Sequence, residues 1–111
     1  MSNKCVYGLS SLAEPELGIR YIGLTTRGAQ ARLQGHLRAS ATGTSPCYRW
    51  IRRVGTGTIV AEVLATLPDS ADLDDLFEAE AAMIREHRAR SPRLLNLKLT
   101  YDQSWKRILN G

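Results

Sequence analysis

The pattern of hydrophobic and polar residues predicts two strands near the start of the chain. Residues 5–9 and 19–24 alternate with a period of two, which is typical of β-strands. The alternation places Tyr7 on one face of the first strand, and Tyr21 and Gly23 on one face of the second. The segment between the strands contains a proline and is too long for a two-residue turn, so the pattern predicts a hairpin with an exposed, mobile loop.

A helical period follows from Gly28. It places three apolar residues on one buried face: Ala29, Leu33 and Leu37. Arg32 and His36 lie at the edge of this face, four residues apart, so their side chains stack on the same side of the helix. In one interpretation, the aliphatic part of Arg32 covers the core and His36 is a hydrogen-bonded residue at the core boundary. In the other, the pair presents a guanidinium and an imidazole to one ligand. The spacing leaves both interpretations open.

A second, shorter helix is predicted to begin at Ser45 and Pro46, a good N-cap and first-turn pair, and to end at Gly55. Its outward face carries three arginines, which we call the basic patch: Arg49, Arg52 and Arg53. Residues 58–66 are rich in β-branched and aliphatic types. They predict a third, well-buried strand.

The longest helix is predicted over residues 72–90. Its apolar stripe consists of Leu73, Leu76, Phe77, Ile84 and, at the margin, Met83. Glu80 falls in the middle of this stripe, where a carboxylate is costly unless it is paired, protonated or bound to a cation. Two partners stay open for it: Arg32 in a buried ion pair, or a magnesium-type ion held by one carboxylate and several waters. Asn96 interrupts the next apolar segment, and its amide needs hydrogen bonds if it is buried.

The length of 111 residues and the hydrophobic content of 43% are those of one compact domain. We expect a single domain over residues 1–111, with a core at about 5–97 and a tail at 98–111. The tail can dock through three apolar residues: Trp105, Ile108 and Leu109.

Cysteine use and hydropathy indicate the compartment. Cys5 and Cys47 stand alone, without a CxxC motif or a neighbouring histidine, so we expect two buried, reduced thiols rather than a zinc site or a disulfide. The apolar runs are far shorter than the roughly 18 residues of a membrane span, and the N-terminus lacks the apolar region of a signal peptide. The sequence therefore predicts a soluble, cytoplasmic protein without a membrane partner.

Charge is distributed unevenly along the chain. The net charge is +4, and seven arginines but no acidic residue lie between Leu17 and Ala61. This segregation favours a basic surface that faces a polyanion, most commonly nucleic acid. A solvated arginine face, or a surface for an acidic protein partner, would give the same count.

Several motifs fall in a recognisable order. The first strand carries Cys5-Val6-Tyr7, the second carries Tyr21-Ile22-Gly23, and the first helix carries Arg32-x-x-x-His36. Together with Glu80 on the long helix and Asn96 after it, these motifs resemble the GIY-YIG nuclease domain over about residues 5–97.

The resemblance implies a small α/β (α+β) domain in the order β-β-α-α-β-α, with a three-stranded antiparallel sheet packed against helices. It also implies metal-dependent cleavage of DNA phosphodiester bonds with one Mg²⁺ or Mn²⁺ ion. By resemblance, Tyr7 and Tyr21 are the motif tyrosines, Arg32 the catalytic arginine and His36 the helix histidine. Glu80 is the single metal ligand, and Gly23 and Asn96 are supporting residues. One departure is that Cys5 stands where the family has a glycine with a backbone and packing role.

These roles agree with the chemistry of phosphodiester hydrolysis, which needs an activated water and charge neutralisation on the phosphate. We expect Tyr7 to act as the base, with Arg32 bracing the phosphate. Nucleic-acid contacts are expected from Arg27 and from the basic patch. The resemblance does not say whether the DNA is single- or double-stranded, and it leaves room for a homodimer or an accessory specificity protein. The competing hypotheses are an inactive nucleic-acid-binding module of the same fold and an interaction domain for an acidic protein.

Overall fold

The computed structural model describes residues 2–90 and 93–96. Within these residues, three strands and three α-helices follow one another as β1 (Cys5–Ser11), β2 (Tyr21–Thr25), α1 (Ala29–Ala39), α2 (Pro46–Val54), β3 (Ile59–Thr66) and α3 (Leu73–Arg90), with single 3-10 turns at Pro15–Leu17 and Thr56–Thr58. The strands form one antiparallel sheet in the order β2-β1-β3. The predicted α+β fold and the order of its elements are confirmed.

The helix ends follow the predicted local chemistry. Ser45 caps α2, because its hydroxyl accepts a hydrogen bond from the backbone N–H of Tyr48 at 3.3 Å. Gly55 ends α2 with a φ of 99°, a conformation that favours glycine. Gly28, with a φ of 91°, precedes α1 in the same way.

Pairing of β1 with β2 sets the position of the motif residues. Tyr7 lies opposite Gly23, and Leu9 lies opposite Tyr21, so both tyrosines point to the same face of the sheet. The alternate residues, Val6 and Ile22, point to the opposite face. The side chains of each strand therefore contribute alternately to two hydrophobic cores, one on each face of the sheet.

The two cores lie on opposite faces of the sheet. Helices α1 and α2 cover one face, where the buried residues are Cys5, Tyr7, Leu9, Ala29, Leu33, Cys47, Trp50, Ile51 and Ile59. Helix α3 covers the other face, where the buried residues are Val6, Ile22, Ile84 and Leu94. Both cysteines are buried and free, as predicted.

Two predictions about burial are wrong. Strand β3 lies at an edge of the sheet rather than in a buried position, and Val60 and Val63 are 39% and 53% exposed. Its β-branched composition thus reflects strand preference and not burial. Leu73 is also exposed, because it opens the first turn of α3 and the packed stripe begins at Leu76.

The loop between β1 and β2 is largely exposed, as predicted, but one of its residues, Glu14, anchors it to the rest of the fold. The carboxylate of Glu14 is buried and accepts hydrogen bonds from Arg20 and from the indole N–H of Trp50, the latter at 2.5 Å. Arg20 also lies over the Trp50 ring, 5.5 Å from its centroid. This cluster fastens the hairpin loop to α2.

The structure bears only in part on the predictions about the membrane and about the tail. Within residues 2–90 and 93–96, no helix is long and apolar enough to cross a membrane. The predicted docking of the tail through Trp105, Ile108 and Leu109 lies outside the described residues.

Candidate active site

A cluster of aromatic rings lies between the sheet and α1. The imidazole of His36 is surrounded by three tyrosines, with ring centroids at 5.9 Å for Tyr7, 5.4 Å for Tyr21 and 5.8 Å for Tyr48. His36 was predicted at the edge of its helix, yet it is only 2% exposed. The reason is that α1 turns Ala29, Leu33 and His36 toward the core, whereas Leu37 is half-buried. Arg32 stays exposed, although its charge reaches both His36 and Tyr7.

Tyr7 and His36 are joined by a buried hydrogen bond of 2.6 Å between Tyr7 Oη and His36 Nε2. Burial, supported by the neighbouring Tyr21, raises the pKa of Tyr7 above its ordinary value, although the charge of Arg32 opposes the shift. Burial and, to a lesser extent, Arg32 lower the pKa of His36 to about 4. At neutral pH both groups are therefore uncharged.

The second imidazole nitrogen, His36 Nδ1, is buried and has no hydrogen-bond partner among the described residues. A neutral imidazole carries one N–H. Either Nε2 accepts the Tyr7 proton and Nδ1–H is unpaired, or Nε2–H donates to Tyr7 and the Nδ1 lone pair is unpaired. Burial of the Tyr7–His36 pair thus leaves one polar atom without a hydrogen bond among the described residues, which costs free energy. Such unpaired groups are common at functional sites.

Gly23 makes room for Tyr7. A Cβ atom at position 23 would lie 2.6 Å from Tyr7 Cζ, a distance that real contacts do not allow. Because Tyr7 and Gly23 are direct cross-strand neighbours, the phenol ring lies across the glycine backbone. This fit gives Gly23 a structural role beside Tyr7; the supporting role predicted for it at the site stays a prediction.

Arg32 and Tyr21 lie at the same cluster. The positive charge of Arg32 is close enough to lower the pKa of Tyr7, of Tyr21 and of the Cys47 thiol, in each case against a larger effect of burial. Burial raises the pKa of Tyr21 to about 12, and the negative charge of Glu80 contributes to the shift. Tyr21 is thus close enough to feel both the guanidinium of α1 and the carboxylate of α3.

Glu80 is half-buried and forms neither a hydrogen bond nor an ion pair with the described part of the chain. Burial raises the pKa of its carboxyl to about 7. The buried ion pair with Arg32, one of the two partners left open by the sequence, is not formed. An unpaired carboxylate beside Tyr21 fits a divalent cation, which would gain its remaining ligands from water and substrate. In the part of the chain that the structure describes, no three His, Cys, Asp or Glu residues gather into a metal-binding group.

Asn96 binds the edge of β2 through both ends of its amide. Its Oδ1 accepts a hydrogen bond from the backbone N–H of Ile22 at 3.0 Å, and its Nδ2 donates to the Ile22 carbonyl at 2.7 Å. The expectation that this amide must find partners is confirmed. Its partner Ile22 directly follows Tyr21 in β2.

The basic patch is not uniform. Arg49 is exposed and has no partner among the described residues, whereas Arg52 donates to the carbonyls of Ser40 and Gly43, each at 2.6 Å. Arg53 lies 3.7 Å from Glu14 and is 62% exposed. Arg52 therefore holds the end of α1, and Arg49 is the member best suited to an external anion. Arg27, also predicted to bind nucleic acid, is exposed at the start of α1.

Two groups of residues at or near the site were missed from the sequence. Tyr48 packs on Gly43, where an added Cβ atom would overlap the Tyr48 ring, and it completes the group of tyrosines around His36. Its position three residues before the buried Ile51 was the available signal. The sequence pattern did not distinguish the buried Glu14 from the exposed Glu16 two residues later.

Comparison with protein-family models, with curated proteins and with solved structures finds no significant match for this chain in any of the three.

Proposed function

We propose that this protein is a divalent-metal-dependent endonuclease that hydrolyses DNA phosphodiester bonds. The observation that carries the proposal is that three groups gather around Tyr21: the hydrogen-bonded Tyr7–His36 pair, the exposed guanidinium of Arg32 and the unpaired carboxylate of Glu80. These are a base, an anion-binding group and a cation-binding group. The resemblance to the GIY-YIG nuclease domain points to the same reaction class.

Tyr7 cannot act as a preformed phenolate, because burial raises its pKa further above neutrality. It can act as one member of a proton relay. In the relay, Tyr7 Oη accepts a proton from the attacking water while its own proton passes to His36 Nε2 along the 2.6 Å hydrogen bond. The pKa of His36, about 4 without substrate, keeps the imidazole neutral and free to accept. A phosphate anion beside the site would favour the imidazolium that results.

Arg32 would donate to the non-bridging phosphate oxygens and stabilise the additional negative charge of the pentacovalent transition state. Glu80 would hold one Mg²⁺ or Mn²⁺ ion, which when bound supplies the charge that stabilises the leaving 3′ oxygen. The charges of both Arg32 and Glu80 reach Tyr21, whose hydroxyl would orient the phosphate. Arg27 and Arg49 would contact phosphates away from the cleaved bond.

A cleavage assay on the full chain tests the proposal. Single-stranded, double-stranded and branched DNA are incubated with Mg²⁺, with Mn²⁺ or with chelator. We expect metal-dependent cleavage by the wild type, loss of cleavage in Glu80→Gln with DNA binding retained, and wild-type cleavage in Glu78→Gln. Glu78 is the matched control, since it is exposed on the same helix. Cleavage in chelator, or undiminished cleavage by Glu80→Gln, would contradict the mechanism.

The second candidate is a catalytically inactive module that binds nucleic acid through the same arginines. The raised pKa of Tyr7 favours it, because a protonated phenol alone is a poor base. This hypothesis expects salt-sensitive DNA binding without cleavage of any of the three substrates. An interaction domain for an acidic protein, in contrast, expects no salt-sensitive DNA affinity.

A further inference from the structure

Residues 93–96 run along the open edge of β2. The backbone N–H of Leu95 donates to the Arg20 carbonyl at 2.6 Å, and the Asn96 amide pairs with both backbone groups of Ile22. Asn96 thus takes the place that a neighbouring strand would occupy. Tyr21 lies between the two anchored residues, so its backbone is fixed on both sides.

Arg88 holds this edge segment from α3. Its guanidinium NH2 donates to the Asn96 carbonyl at 2.7 Å. Arg88 follows Phe77, Ala81 and Ile84 at helical spacings, which places it on the buried side of α3. The sequence pattern had assigned it only to the basic last turn of the helix.

The environment of Arg88 is unusual for a stabilising contact. Its Nε atom is buried and, within residues 2–90 and 93–96, has no hydrogen-bond partner. Burying the Nε donor without a partner costs free energy, which makes this half-buried arginine a costly way to hold one carbonyl. A positioning role explains its use, since the planar, five-donor group has a long reach from the helix.

We propose that Arg88 is a positioning residue that couples the helix carrying Glu80 to the strand carrying Tyr21. Arg88 fixes Asn96, and Asn96 fixes Ile22. Glu80 and Arg88 are eight residues apart, or about 12 Å along one rigid helix. The chain of contacts therefore sets where Tyr21 stands relative to the Glu80 carboxylate. The coupling to catalysis rests on the proposed endonuclease function.

Amide hydrogen exchange of the full chain tests the structural half of this proposal. In Arg88→Met, which keeps the apolar stem but removes the donors, we expect the Ile22 amide to exchange about tenfold faster than in the wild type. The amide of Leu9, in the central strand, reports global stability and should change far less. Arg88→Lys keeps one donor and should restore Ile22 exchange to within about threefold of the wild type. Arg85→Met, an exposed change on the same helix, is the matched control.

Cleavage kinetics test the functional half. Arg88→Met should lower kcat about tenfold while KM for DNA changes less than about twofold, since no DNA contact is removed. Arg88→Lys should recover most of kcat. A merely structural arginine would instead change Leu9 and Ile22 exchange together and would not be rescued by lysine.

Three results would overturn the proposal: unchanged Ile22 exchange in Arg88→Met, an equal rise at Leu9, or a failure of lysine to rescue. Should Arg88→Met not fold, Asn96→Ser decides, because it leaves the Arg88 contact in place and should still raise Ile22 exchange selectively. If neither variant folds, both residues are structural and the proposal is wrong.

Exchange data are obtained whether or not the protein cuts DNA. A protein that never cleaves therefore contradicts the endonuclease function alone, whereas unchanged exchange contradicts the role of Arg88 alone.

Discussion

The hydroxyl of Tyr7 lies 2.6 Å from His36 Nε2, and this buried pair is uncharged at neutral pH because burial raises the pKa of the phenol and lowers that of the imidazole to about 4. Tyr21 contacts the same imidazole edge-on without a hydrogen bond to it among the described residues. The two motif tyrosines thus have different surroundings. The proton relay assigns them different roles.

Tyr7→Phe removes the relay and should abolish cleavage, with a loss of about 10²–10⁴-fold in the single-turnover rate at saturating DNA. Tyr21→Phe should retain more activity, because an orienting hydroxyl is lost but the path of the proton is kept. Tyr48→Phe is the control for ring packing around His36. Equally mild effects of Tyr7→Phe and Tyr21→Phe would exclude Tyr7 as the general base.

The pH dependence of stability should separate Glu80 from His36. The pKa of Glu80 is raised from 4.5 to about 7, so the folded state binds more protons than the unfolded state between these values and stability falls as pH rises. The pKa of His36 is lowered from 6.5 to about 4, so in that window the unfolded state binds more protons and stability rises with pH. The two effects oppose each other in the wild type.

Glu80→Gln removes the first effect only. Denaturant unfolding should show that the stability of the variant rises by up to about 1.4 kcal/mol per pH unit between pH 4 and 6.5, in contrast to a flatter wild-type profile. At pH 8 the variant should be more stable than the wild type by up to about 3 kcal/mol. Glu78→Gln is the control. A Glu80→Gln variant that is less stable at pH 8 would indicate a paired carboxylate and argue against a cation site.

The arginines of α2 should differ in what they do. Arg49→Gln should reduce the slope of log affinity against log salt by about 0.9 for DNA and leave the melting temperature unchanged. Arg52→Gln should cost about 1–2 kcal/mol of stability, because the Ser40 and Gly43 carbonyls lose their donor. Binding titrations at several salt concentrations, beside thermal melts, check both outcomes. An unchanged salt slope in Arg49→Gln would remove this residue from the DNA surface.

Glu14→Gln should destabilise the fold. Burial raises the pKa of Glu14, but the Trp50 hydrogen bond and the charge of Arg20 together lower it below 4.5, so the carboxylate contributes stability that is present above pH 4.5 and is lost as pH falls. Leaving Arg20 buried without its counter-charge should cost about 3–5 kcal/mol at pH 7. Glu16→Gln, an exposed change in the same loop, should lie within about 0.5 kcal/mol of the wild type. Equal melting of the two variants would show that the Glu14 cluster does not hold the loop.

The sequence by itself determined the local elements of this protein. Period-two alternation placed β1 and β2, and the serine-proline and glycine signals placed the ends of α2, because these preferences act within a few residues. The position of Glu80 in an apolar stripe also followed from helical geometry alone. The requirement that Asn96 find hydrogen bonds came from the chemistry of its amide.

Only the tertiary structure decided which surfaces meet. The burial of His36 depends on how α1 is rotated about its axis against the sheet. The helical period of the sequence does not resolve the small rotation that buries His36 in place of Leu37. The exposure of β3 depends on strand order, which places β1 rather than β3 at the centre. Local patterns also treat distant residues independently. They could not show that Glu14 pairs with Arg20 and Trp50, that Arg88 contacts Asn96, or that Glu80 forms no ion pair with Arg32. Long-range packing fixes such contacts, and it is packing that brings the Tyr7–His36 pair and Glu80 close to Tyr21.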